Sequence, residues 1–132
     1  MRIRTLGLGF VAVSLFAGPA FAHHSFAMFD ATKTVTLNGT VKGLDWTNPH
    51  MWLYVMVPQA SGAAVEYQCE MQGIEGAVRL GWTRDIVKPG DKVAIAIHPL
   101  RDGHPGGQLL NVVLPSGKKI DVMRVPAAPR AD

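Results

Sequence analysis

Val65-Glu-Tyr-Gln-Cys-Glu-Met71, followed after one residue by Gly73-Ile-Glu-Gly-Ala-Val-Arg-Leu80, carries the change of period on which the fold turns. In the first run Val65, Tyr67, Cys69 and Met71 share one face while Glu66, Gln68 and Glu70 take the other, the alternation of a strand. In the second, Ile74, Ala77, Val78 and Leu80 recur at helical spacing and are expected to turn inward. Gly81 stands where a left-handed C-terminal cap belongs. The chain thus passes from strand to short helix in the space of a turn.

Upstream lie two more strands. Residues 51–57 alternate Met51, Leu53, Val55 and Val57 with Trp52, Tyr54 and Met56; the aliphatic set is the expected core face, leaving Trp52 and Tyr54 outside. Before them, residues 34–41 alternate as a first strand, but Val41 cannot share a face at period two with Leu44 and Trp46. A bulge or bend at Gly43 reconciles the two sets, as where small barrels coil. Downstream, Lys88-Pro89-Gly90-Asp91 reads as a tight turn. Val93, Ile95 and Ile97 mark a fourth strand, residues 109–114 a fifth, and residues 120–122 a last short one. Three strands, a short helix and two strands is the element order of a small OB-like Greek-key barrel, so the chain is expected to be mainly β with one helix between strands three and four. An immunoglobulin-like sandwich needs more strands and has no place for the helix.

The amino terminus reads as an export signal. Arg2 and Arg4 precede a short apolar run, Gly18-Pro19 breaks it, and Ala20-Phe21-Ala22 forms a small-x-small cleavage pattern before His23. The expected organisation is a cleaved signal peptide at 1–22, a lead-in at 23–33 anchored by Phe26 and Phe29, the barrel at 34–125, and a disordered tail at 126–132. The mature chain would have 110 residues, with eleven basic and ten acidic side chains. That is one core's worth of chain, with no electrostatic footprint for nucleic acid and no membrane anchor after cleavage. Cys69 is the only cysteine, which excludes an intrachain disulfide in the periplasm. A buried small hydrophobe is its default role, a metal thiolate or intermolecular pairing the alternatives.

Processing would make His23 the first residue, joining a free amine to an imidazole. Such nitrogen donors favour Cu(II) over the other common divalent ions, and the amine's ordinary pKa of about 7.7–8.0 lets it deprotonate near neutrality. His24, at position two, can bind through an intervening amide; the tighter motif with histidine third is missing, since Ser25 stands there. In an OB-fold the ligand crosses strands two and three between the first-to-second and fourth-to-fifth loops. Those loops, residues 46–50 and 99–107, carry His50 and His104, so the topology brings two further imidazoles toward one face. Each histidine also has a plain reading, as a turn or loop residue, and His98 reads as merely exposed. Met51 and Met71 are soft thioethers suited to Cu(I), or core filler. Trp46, Trp52 and Tyr54 form an alternative aromatic surface, while Trp82 and the other tryptophans can also plug the barrel.

Catalysis has little support. Ser25, Ser61 and Ser116 lack a nucleophile-elbow pattern, Glu66 and Glu70 are too far apart on one strand to share a proton, and neither a phosphate loop nor a His-Glu-x-x-His zinc motif occurs.

His23-His-Ser-Phe, Trp46-Thr-Asn-Pro-His50, Gly81-Trp-Thr-Arg84, Lys88-Pro-Gly-Asp91 and Pro99-Leu-Arg-Asp-Gly103 occur in that order. Together they resemble a family of small exported Gram-negative proteins classed as a domain of unknown function. The resemblance spans almost the whole mature chain and implies a periplasmic, single-domain, β-rich protein. It implies no activity, ligand or functional residue, and Cys69 is not part of its pattern. The leading expectation is a non-catalytic periplasmic binding protein holding copper through His23 and His24 with His50 or His104. Next comes a small-ligand or protein-interaction module using Trp46, Trp52 and Tyr54 without metal or other cofactor. A copper redox enzyme, which needs an open coordination position, ranks last.

Overall fold

A computed structural model describes residues 26–123. The expected signal peptide, His23, His24 and the tail at 126–132 lie outside the described residues. Six strands form one sheet: β1 (Val35–Asp45), β2 (Trp52–Pro58), β3 (Ala64–Glu70), β4 (Lys92–Pro99), β5 (Gly106–Val113) and β6 (Lys119–Asp121). The order is β3-β2-β1-β4-β5-β6, and a parallel pairing of β3 with β5 closes the first five strands into a barrel. One helix, α1 (Ile74–Arg79), lies between β3 and β4, as the change of period predicts. This is the OB-like arrangement expected.

β1 is long because it serves two neighbours. Val35 to Thr40 pair with β4, and Thr40 to Asp45 pair with β2 across a bulge between Val41 and Gly43. The bulge re-aims the strand so that Val41 and Leu44 both reach the core. The Lys88–Asp91 turn completes the bend: Val41 donates its N–H to the Asp91 carbonyl, and Gly90 donates to the Val41 carbonyl, each at 2.8 Å.

The core follows the parity of β2. Met51, Leu53, Val55 and Val57 are buried, whereas Trp52, Tyr54 and Met56 are partly exposed. Cys69 and Met71 lie on the same inner side, and burial pushes the Cys69 thiol up to about 12. It packs in the core as a buried small side chain. In α1 the sequence expectation needs correction. Ala77 is fully buried, but Val78 is 52% exposed, because a six-residue helix turns too narrow a face inward to bury both. Gly81 has φ +95°, the left-handed conformation expected after the helix, and donates its N–H to the Val78 carbonyl. Trp82, 1% exposed, follows directly and donates its indole N–H to the Asp121 carbonyl of β6 at 2.9 Å.

β5 begins at Gly106, three residues before the sequence expectation. Gly106, Gly107 and Gln108 have low strand propensity, but they pair with Gln68, Cys69 and Glu70 to close the barrel. Tertiary pairing, not local preference, makes this segment a strand.

Candidate functional site

The outer face of β2 and β3 is built from cross-strand neighbours: Trp52 opposite Glu70, Tyr54 opposite Gln68, and Met56 opposite Glu66. Loop residues 47–50 line one depression beside this face, and Leu100, His104 and Pro105 line another. Three depressions run along this region. A central groove of about 350 Å³ is bordered by Met28, Phe29, Trp52, Glu66, Gln68 and His104, among others. A cleft of about 260 Å³ lies beside it, lined by residues 47–50, Trp52 and Glu70. A third, of about 340 Å³, lies where β3 gives way to α1, with His50, Glu70, Met71 and Met123 in its wall. Glu70 borders all three. A depression of about 470 Å³ lies elsewhere, around Asn38, Thr40 and Lys92. There the Lys92 ammonium donates to the Thr40 hydroxyl.

The loop between β1 and β2 is tied to the helix. Asn48 Oδ1 accepts the Ile74 N–H at 2.9 Å, and the Asn48–Pro49 peptide is cis. His50, half-buried, is engaged at Nδ1 by the Glu70 carboxylate. His104 is exposed; its Nδ1 stands 3.1 Å from Asp102 Oδ2, and its N–H donates to Asp102 Oδ1 at 3.0 Å. That backbone N–H, with the ring beside it, holds the Asp102 carboxyl below its ordinary range. Both loop histidines thus face a carboxylate at Nδ1. Glu66 is lowered by its hydrogen bond from Lys42, and Tyr54 is raised because its hydroxyl donates to Asp45 at 2.8 Å.

The lead-in reaches the groove. Residues 26–28 form one 3-10 turn, and Phe29 bridges to Leu100. Arg101 donates its N–H to the Met28 carbonyl and its Nε to the Ala27 carbonyl, both at 3.0 Å, while Asp30 donates to the Pro99 carbonyl at 2.8 Å. Asp30 also accepts from Thr32 Oγ1 at 2.6 Å and pairs with Lys33 at 3.1 Å. Those two hydrogen bonds hold its carboxyl down at about 2. The unfolded chain, with an ordinary carboxyl near 3.9, binds more protons in that interval. The Asp30 contribution to stability is therefore complete above about pH 4 and is lost as pH falls through about 2. Melting temperatures recorded between pH 5 and pH 2 should fall more steeply for the natural protein than for Asp30→Asn. Parallel curves would show that this carboxylate is not a stabilising anchor.

Among the sequence candidates, Trp52 and His104 border the central groove, and Trp52 and His50 border the cleft. Tyr54 lies on the same strand face, next to Gln68. Trp46 does not join them: it is partly buried against the core, with the Arg84 guanidinium 5.8 Å from its ring centre. His98 also lies apart, half-buried, with Nδ1 2.7 Å from the Lys33 carbonyl. Sequence reasoning did not place Glu70, Gln68 or Met28 at this groove; Phe29, expected as an anchor of the lead-in, is buried and borders it. The alternation placed Glu70 on the outer face, but its partner in β2 depends on register. Among the described residues, no group of three or more histidine, cysteine, aspartate and glutamate side chains is arranged to hold a metal ion.

Fold and face together define a small closed β-barrel with a groove of about 350 Å³ bordered by β2 and β3. The profile of a family of unknown function (DUF6152) matches residues 11–109, three-quarters of the sequence, and the chain belongs to that family. No curated protein and no solved structure matches it.

Proposed function

We propose that the protein is a non-catalytic binding protein, exported to the periplasm by a cleaved signal peptide, that holds copper at the edge of the β2–β3 face. His23 would supply amine and imidazole, with His104 or His50 as a further ligand and His24 adjoining. One observation carries this reading: Met28 and Phe29 border the same groove as His104, and the hydrogen bonds of Arg101 pin residues 27 and 28 beside that loop. His23 is three residues before Phe26, a span of at most about 11 Å at full extension. The carboxylates at Nδ1 of His50 and His104 support it further, because metal-bound imidazoles are commonly oriented by such a partner. The described residues alone do not complete a ligand set, so the reading stands on the terminus.

The test is a Cu(II) titration of protein processed in a bacterial periplasm, its first residue confirmed by mass, followed by electron paramagnetic resonance beside His23→Ala. The expected result is tight one-to-one binding with a nitrogen-rich signal that the variant loses. Weak or multiple binding, unchanged in the variant, overturns the reading. It would favour the second one, a metal-free site for a small ligand, for which Trp52 at the junction of groove and cleft is the motive.

A further inference from the structure

The outer face of β1 to β3 carries its polar chemistry in rows set by strand pairing. In the first row Asp45 of β1 pairs with Trp52 of β2, and Trp52 with Glu70 of β3, so the indole has a carboxylate residue on either side. In the next rows Tyr54 stands opposite Gln68, and Met56 opposite Glu66. Partners hold these polar groups in place. Asp45 accepts the Tyr54 hydroxyl at 2.8 Å, Glu66 accepts the Lys42 ammonium and, at 3.5 Å, the Gln68 amide, and Glu70 is engaged by His50. A carboxylate has about four acceptor positions, so these bonds leave each able to accept more. The indole is partly exposed and borders both the central groove and the cleft beside it. Along β3 the row from Glu66 to Glu70 covers about 13 Å, longer than a single pyranose ring.

We propose that this face binds a neutral oligosaccharide, with Trp52 against a sugar ring and Asp45, Gln68 and Glu70 receiving its hydroxyls. A pyranose presents C–H groups on its faces and hydroxyls around its rim. An indole flanked by planar, pre-oriented acceptors matches both. OB-folds hold two kinds of chain across this face, oligonucleotides and oligosaccharides. A phosphate strand calls for a run of basic side chains, whereas the rows here set Asp45, Glu66 and Glu70 around Lys42. An organic cation would draw on unanswered charge, but Glu66 is already paired with an ammonium. The inference gives a ligand class to the metal-free reading of this face and rests on that reading. None of the terminal copper ligands takes part, so the two sites can fail independently.

The experiment is titration of the full processed chain with cellotriose, maltotriose and triacetylchitotriose, with EDTA present so that no metal contributes. Calorimetry gives the affinity, and the indole N–H resonances of the three tryptophans give the place. At least one of the sugars should bind and shift the Trp52 resonance. That of Trp82, buried and bonded to the Asp121 carbonyl, should stay where it is. Trp52→Ala should weaken binding at least about tenfold, as loss of a central aromatic anchor does. Gln68→Ala should weaken it about two- to tenfold, the worth of one hydrogen bond. Lys92→Ala, at the depression around Asn38 and Thr40, should leave it unchanged. No binding of any of the three sugars at millimolar concentration would overturn the proposal. So would affinity unchanged in both Trp52→Ala and Gln68→Ala with melting temperatures preserved. Choline binding more tightly than the sugars and moving the same Trp52 resonance would assign the face to cations and overturn it equally. Sugar binding in EDTA beside a failed Cu(II) titration would sink the terminal site alone.

Discussion

Gly106→Ala should open the barrel. Gly106 has φ +150°, a conformation that side-chain-bearing residues rarely adopt, and a Cβ there would sit 2.5 Å from the Gln68 carbonyl oxygen. That oxygen is backbone, so it cannot rotate away. Strain of about 1–3 kcal/mol in the backbone and a similar overpacking cost add to about 2–6 kcal/mol, against a total of about 5–15 for a domain. The denaturant midpoint should fall accordingly, and the groove should go with it, because Gln68 and Gly107 border it. A stability change within about 0.5 kcal/mol, the range of an ordinary surface substitution, would mean that β3 and β5 do not meet as described.

Trp82→Ala should be comparably severe for another reason. The indole is the largest fully buried side chain, and its removal leaves a cavity beneath β6. Large aromatic-to-alanine changes in cores cost about 3–5 kcal/mol. Trp82→Phe separates volume from polarity: it keeps much of the packing and loses chiefly the bond to the Asp121 carbonyl, a net of about 0.5–1.5 kcal/mol. Urea unfolding of the two variants is the check. Equal destabilisation by Phe and Ala would place the energetic weight on the hydrogen bond, and little effect of either would show that Trp82 does not anchor the core.

Much of this fold is legible in the amino-acid sequence, and the reason is local. β2, β3 and β4 each bury one face, so their aliphatic residues alternate openly; even the bend at Gly43 shows, since Val41 and Leu44 have to reach the same core. What stays hidden is what only distant partners decide. Gly106 and Gly107 read as loop because their strand character comes from Gln68 and Cys69, nearly forty residues earlier. Val78 looks apolar enough for the interior, yet the shortness of α1 leaves it outside. The site divides along the same line. OB-like topology locates the loops bearing His50 and His104 and the outward face of Trp52. The Glu70 contact with His50 depends on the register that sets Trp52 opposite Glu70. Trp46 goes to the core side because the coil of β1 decides where its last residues lead. Gln72 reaches the Val122 carbonyl fifty residues away, a pairing no local pattern announces.

The same three paired positions that close β3 onto β5 also lie under the groove: Gln68, Glu70 and Gly107 belong to both. Whatever grips that groove therefore bolts the seam. By mass action, a ligand that recognises only the closed barrel adds about 2.7 kcal/mol of resistance to unfolding at a hundred times its dissociation constant. Proteases that attack opened chains then act as assayers, clearing empty molecules and sparing filled ones. If the proposed binding holds, the amount of folded protein would then follow the supply of the ligand, with no dedicated sensor needed.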